Sequence, residues 1–141
     1  MRTLRRSGES LAAELAAARA NAIEAVNAAA RTVRLRFVTD IPGQEMIYSE
    51  KRSEAAAFVS ITPSPIDLTP YPFIAAEVGI TAPSAYEVAQ LYLNLAAQWI
   101  EAGSALEAIR LGAVQSIETA TTQSQIDAAL ALMASQLEAL A

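Results

Sequence analysis

Residues 84–117 read SAYEVAQLYLNLAAQWIEAGSALEAIRLGAVQSI. Within this stretch Val88, Leu91, Leu95, Trp99, Ala102, Leu106, Ile109 or Ala113, and Ile117 recur every three or four residues. That spacing places them on one stripe of an α-helix, because 3.6 residues complete a turn. Ser84-Ala85-Tyr86-Glu87 fits a capping box, in which a hydroxyl and a carboxylate satisfy the orphan N–H groups of a helix start. The spacing predicts a helix of about 35 residues, roughly 50 Å long at 1.5 Å per residue. Gly103 and Gly112 lie inside it, where the missing Cβ permits a bend or a close neighbour.

The same period extends in both directions. On the C-terminal side, Thr122 to Gln125 is a weaker capping pattern opening a last helix. Ile126, Leu130, Met133, Leu137 and Leu140 share one of its faces. On the N-terminal side, Thr69-Pro70 reads as an N-cap with Pro at the first helical position. It heads a short helix, Tyr71 to Val78, that Gly79 ends. Thr62-Pro63-Ser64-Pro65 is an extended linker, since Pro fixes φ and pushes the residue before it out of the α region. These prolines, with Pro72, read as turn-shaping residues. Before the linker, residues 44–60 form a helix with Met46, Ile47, Ala55, Phe58 and Val59 as apolar contacts. Glu45, Glu50, Lys51, Arg52 and Glu54 form its solvated face. Thr39-Asp40-Ile41-Pro42-Gly43 is a break.

Residues 4–38 form the remaining long helical segment. Leu11, Leu15, Ala18, Ala22, Val26, Ala29, Val33 and Phe37 fall on one stripe. It is narrow and Ala-rich, closer to a coiled-coil seam than to a broad core face, although an ordinary amphipathic helix packed on its own domain has the same pattern. A compact globule of 141 residues measures under about 40 Å, from a radius of gyration near 14–15 Å. Two helices of about 50 Å do not fit inside it. The expected fold is therefore all-α, an elongated antiparallel helical hairpin or bundle. Residues 1–38 are its candidate coiled-coil stem for homo-oligomerisation and residues 39–141 its bundle domain. A trimer is favoured over a hexamer, although an Ala seam does not fix symmetry.

Composition sets further bounds. Of 141 residues, 53% are hydrophobic and 32 are Ala, so the core is thin in buried area per residue. There is no Cys and no His. This excludes disulfides, thiolate nucleophiles, His general bases and Cys/His zinc sites. No Gly-rich phosphate loop or GxSxG elbow is present. The nearest paired acids, Glu50 and Glu54, lack the convergent ligands that a metal or acid–base role needs. No catalytic, cofactor-binding or metal-binding residue is expected.

Charge is uneven. Residues 1–40 hold seven Arg against four acids, a balance of +3, whereas residues 41–141 carry −8, giving −5 overall. A basic arm on an acidic body suits contact with an acidic surface, such as a neighbouring copy. The few Arg, interleaved with Glu9, Glu14 and Glu24, and a pI of about 4.7 argue against nucleic acid as a partner. Mean hydropathy is +0.28. The uncharged run Val88–Ile100 is well short of the roughly 20 residues of a membrane span, and Gly8, Glu9 and Glu14 interrupt any signal-type apolar region after the basic start. Neither a membrane nor a secretory signal is expected, and subunit contacts are the expected cover for the surplus apolar surface. Tyr71, Phe73, Tyr86, Tyr92 and Trp99 form a candidate core aromatic layer, joining the short helix to the long one.

Two segments carry a resemblance. They are Gly43-Gln44-Glu45-Met46-Ile47-Tyr48 followed by Glu50-Lys51, and Tyr71-Pro72-Phe73-Ile74-Ala75-Ala76-Glu77-Val78-Gly79-Ile80-Thr81 continuing into Ala96-Ala97-Gln98-Trp99. The chain resembles, over roughly residues 20–138, a helical domain found at the C-terminal end of many tailed-bacteriophage tail and tail-fibre-like proteins. The resemblance implies a non-enzymatic virion tail component made in the host bacterial cytoplasm, associated with fibre or baseplate, with other tail proteins as partners. Such domains usually end a longer protein, whereas here the domain is nearly the whole chain, which implies a stand-alone subunit docking on a separate fibre or baseplate protein. Two alternatives stand beside it. One is a tail-fibre assembly chaperone absent from the finished particle. The other is a helical small-molecule-binding module with Tyr86, Tyr92 and Trp99 lining its pocket.

Overall fold

A computed structural model describes residues 7–140. Five helices follow one another along the chain: α1 (Gly8–Arg34), α2 (Gln44–Val59), α3 (Pro72–Glu77), α4 (Ala85–Thr119) and α5 (Gln123–Ala139). Among the described residues no strand forms, and the all-α class holds. The first residues of the predicted 4–38 segment, before residue 7, lie outside the described residues.

The helix ends follow the local chemistry. Ser7 caps α1, its hydroxyl accepting from the Ser10 N–H. The Ser84 hydroxyl accepts from the Glu87 N–H at 3.2 Å and donates to the Glu87 carboxylate at 2.8 Å. The hydroxyl half of the expected box therefore forms, while the carboxylate is turned onto the hydroxyl instead of the Ser84 N–H. At α5 the Thr122 hydroxyl accepts from the Gln125 N–H, while the Gln125 side-chain oxygen accepts from the Thr121 N–H at 2.7 Å, one residue further back. Gly79, at φ +81°, ends the turn after α3 in the left-handed region that suits glycine. The expected start of α3 is corrected. Pro72, not Pro70, occupies its first turn, with Tyr71 as N-cap. Thr69 is turned instead onto Asp67, whose carboxylate accepts from both the Thr69 N–H and hydroxyl.

The chain divides into two compact units, one of residues 1–36 with 102–141 and the other of residues 37–101. The first encloses Ala22, Val26, Ala30 and Val33 of α1, Leu106, Ala113 and Ile117 of α4, and Ile126, Ala129, Met133 and Leu137 of α5. Ala120, which precedes α5, is buried with them. Arg19 of α1 donates to the Ala120 carbonyl through Nε at 3.0 Å and through its second terminal nitrogen. It thereby satisfies a carbonyl at the end of α4 that has no next helical turn to accept from. The second unit encloses Ala55 and Phe58 of α2, Tyr71 and Ile74, and Val88, Ala89 and Tyr92 of α4.

The compact units thus do not part at residue 38: α1 packs with α4 and α5 in one unit, which covers its apolar stripe from Leu15 to Val33. The physical reason lies in the side chains. An Ala-rich stripe lets neighbouring helices approach closely, and helices of the same chain supply that contact without the entropic cost of association.

Candidate functional site

The two sets of residues singled out in the sequence separate differently in space. On the α1 stripe, Ala22, Val26 and Val33 are buried, and Leu15, Ala18 and Ala29 pack beside them. Leu11 is 52% exposed. Phe37 belongs to the other unit, its ring centroid 5.9 Å from that of Trp99. The eight residues therefore form no continuous free seam; most are core.

The aromatic layer forms in part. Tyr71 and Tyr92 are buried and Phe73 packs against them. Tyr86 is half exposed and Trp99 is turned to Phe37. The aromatic partner that sequence reasoning missed is Phe58, which meets Tyr71 edge-on at 5.1 Å and 88°.

Between α2, α3 and α4 lies a polar cluster. Glu54, on α2, accepts from the Phe73 N–H at 3.1 Å through one carboxylate oxygen and from the Ile74 N–H at 2.7 Å through the other. A six-residue helix cannot satisfy its own first-turn donors, and this carboxylate does so from a separate element. Three residues earlier on α2, Lys51 pairs with Glu77 at the other end of α3. The Lys51 ammonium also stands 5.0 Å from the Tyr92 ring centroid, a cation–π distance. The second Glu77 oxygen accepts from the Thr81 hydroxyl at 2.8 Å, and the Tyr92 hydroxyl donates to the Phe73 carbonyl at 3.2 Å.

The electrostatics follow from this packing. Burial pushes the Glu77 carboxyl up. The Lys51 ammonium and the hydroxyls of Tyr92 and Thr81 together outweigh it and hold Glu77 below its ordinary value of 4.5. The Tyr92 hydroxyl is raised well above 10.0 by burial first, then by Glu77 and the charge of Glu54. Lys51 and Glu54 are thus corrected from solvated face to packed contact, and Glu50 stays exposed. Periodicity alone hides this role, since the partners lie about 20 residues away.

Each polar group of the cluster is engaged within the unit, so its chemistry is that of a clasp holding α3 to α2. Glu54→Ala should cost about 2–3 kcal/mol, because it removes a charged acceptor from two N–H groups. Glu54→Gln keeps one acceptor oxygen and should lose about half as much; urea unfolding of the two variants checks both values. Glu77 gives the clasp a pH dependence. Its folded value is depressed, so its contribution is present at neutral pH and lost as pH falls from the ordinary carboxylate value through the folded one. Glu77→Gln should flatten the fall in unfolding free energy, read from urea titrations between pH 5 and pH 3, by about 1 kcal/mol or less for a partly exposed pair.

Among the described residues, no group of three or more His, Cys, Asp or Glu side chains is placed to hold a metal ion, and no helix is long and apolar enough to cross a membrane. No family model, curated protein or solved structure matches this chain.

Proposed function

We infer that the chain is a non-enzymatic structural subunit of a bacteriophage tail, associated with fibre or baseplate and acting in virion assembly. The observation that carries this reading is convergence. The segments that resemble the tail domain, 43–51, 71–81 and 96–99, all fall in the unit of residues 37–101. Their distinctive residues have definite tasks there: Lys51 and Glu77 pair, Pro72 starts α3, Gly79 turns the chain and Trp99 meets Phe37.

The partners are other tail proteins, met through exposed apolar side chains of the same unit. Ile66 is 99% exposed, Ile80 83% and Met46 72%. The part of the α1 stripe from Leu15 to Val33 is a poorer contact because its apolar atoms are already packed within its own unit. Self-association, with a trimer favoured, belongs on surfaces other than that stripe.

Mass spectrometry of purified phage particles tests the proposal. The chain should be present in stoichiometric amount. Its consistent absence, with co-purification on unassembled fibre protein, replaces the structural role by that of an assembly chaperone.

A further inference from the structure

α3 is a helix of six residues, too short to hold itself in water. Its start rests on one side chain. Pro72 has no N–H, the Phe73 and Ile74 N–H groups both donate to Glu54 of α2, and the Ala75 N–H finds the Tyr71 carbonyl at 2.9 Å. Its last residue, Glu77, pairs with Lys51, which stands three residues before Glu54 on α2. Both ends of α3 are thus tied to one turn of α2, and each tie contains a carboxylate.

The flanking segments are held less firmly. Residues 60–70 form no helix, and Ile66 within them points into solvent. On the other side Gly79 turns the chain and Ile80 is exposed. The apolar grip is concentrated in Tyr71 and Ile74, buried with Phe58, Val88, Ala89 and Tyr92. α2 and α4, by contrast, are helices of 16 and 35 residues that carry their own backbone hydrogen bonds. Segments with few internal hydrogen bonds open before long packed helices do.

We propose that residues 60–84 form a strap that swings off α2 and α4 as one unit while both helices persist, and that acid releases it. Opening breaks the two ties and uncovers Tyr71 and Ile74. Protonation of Glu54 and Glu77 removes the charge that makes the ties strong, whereas the apolar contacts are indifferent to pH. Glu77 faces Lys51 from α2, Tyr92 from α4 and the Thr81 hydroxyl, and the Glu54 charge acts on Tyr92 as well. The depressed Glu77 carboxyl gives the sign: the Lys51–Glu77 tie is full at neutral pH and fades as acid is added. Once open, the strap bares Phe58, whose ring Tyr71 abuts when it is closed. The inference rests on the packing of this unit and is independent of the tail reading.

The test is native-state hydrogen exchange of the full chain in low urea, read by mass spectrometry, with each rate referred to that of an unstructured peptide at the same pH. Residues 72–78 should be about tenfold or more less protected than residues 88–93 of α4. Their exchange should also depend less steeply on urea, because a strap exposes less surface than the whole unit. From pH 6 to pH 3.5 their protection should fall about tenfold further. The double variant E54Q/E77Q, with neither carboxylate, should show weak protection of 72–78 at pH 6 and no further loss in acid. Equal protection and equal urea slope in the two segments mean that the unit opens only as a whole, and overturn the strap. Unchanged protection of 72–78 on acidification, or the same acid loss in E54Q/E77Q, overturns its release by acid.

Discussion

Val26→Glu should abolish the folded state of the unit that contains α1. Val26 has no exposed surface and sits among Ala22, Ala30 and Val33 in a core of apolar side chains. A carboxylate there has no partner and no water, and the expected cost is about 4 kcal/mol or more, a large part of the ~5–15 kcal/mol that holds a typical domain together. The same substitution on a free oligomer seam gives another result: a folded chain of lower mass. Circular dichroism together with light scattering separates the two. Loss of helical signal follows from the packing described above. A folded monomer derived from an oligomeric parent would return the interface to α1. Leu15→Glu, at a half-buried position of the same stripe, should be milder.

Phe58→Ala should be the second most damaging change, at about 3–5 kcal/mol. Phe58 is 1% exposed and its ring abuts Tyr71, so the truncation opens a cavity beside the residue that leads into α3. Phe58→Leu keeps most of the volume and should cost clearly less. Urea unfolding gives the magnitude. Hydrogen exchange should place the lost protection in residues 55–92, where the packed neighbours lie. Protection lost evenly over all five helices would contradict that placement.

The helices were legible in the sequence because period, caps and breaks agree with one another. Ser84 with Glu87, Thr122 with Gln125, and Gly79 each mark a helix end where the backbone turns. The covering of a stripe is not legible. Val26 and Val33 declare a buried face, but the same spacing serves an intramolecular core and a coiled-coil seam. Glu54 shows a different limit. On its own helix it stands among Glu50, Lys51 and Arg52 and reads as solvated. Its task is set by the missing first-turn acceptors of α3, which come into reach only when α2 and α3 pack. Pro70 and Pro72 are equivalent as signals. The Asp67 side chain decides between them by turning Thr69 away from the helix.

The unit that encloses the α1 stripe is assembled from two separate parts of the chain, with α5 beginning at Gln123 and α1 ending at Arg34. A ribosome adding about 5–20 residues per second takes roughly 5–20 seconds to travel from one to the other. Residues 37–101 are contiguous and emerge complete during that interval. α1 meanwhile waits with its inner face wet. A stripe of Leu and Ile would offer a nascent chain a broad adhesive band for that time. Ala18, Ala22, Ala29 and Ala30 offer little area to wrong partners, and they still pack closely once α5 arrives. The Ala content of this chain thus suits its order of synthesis as well as its final packing.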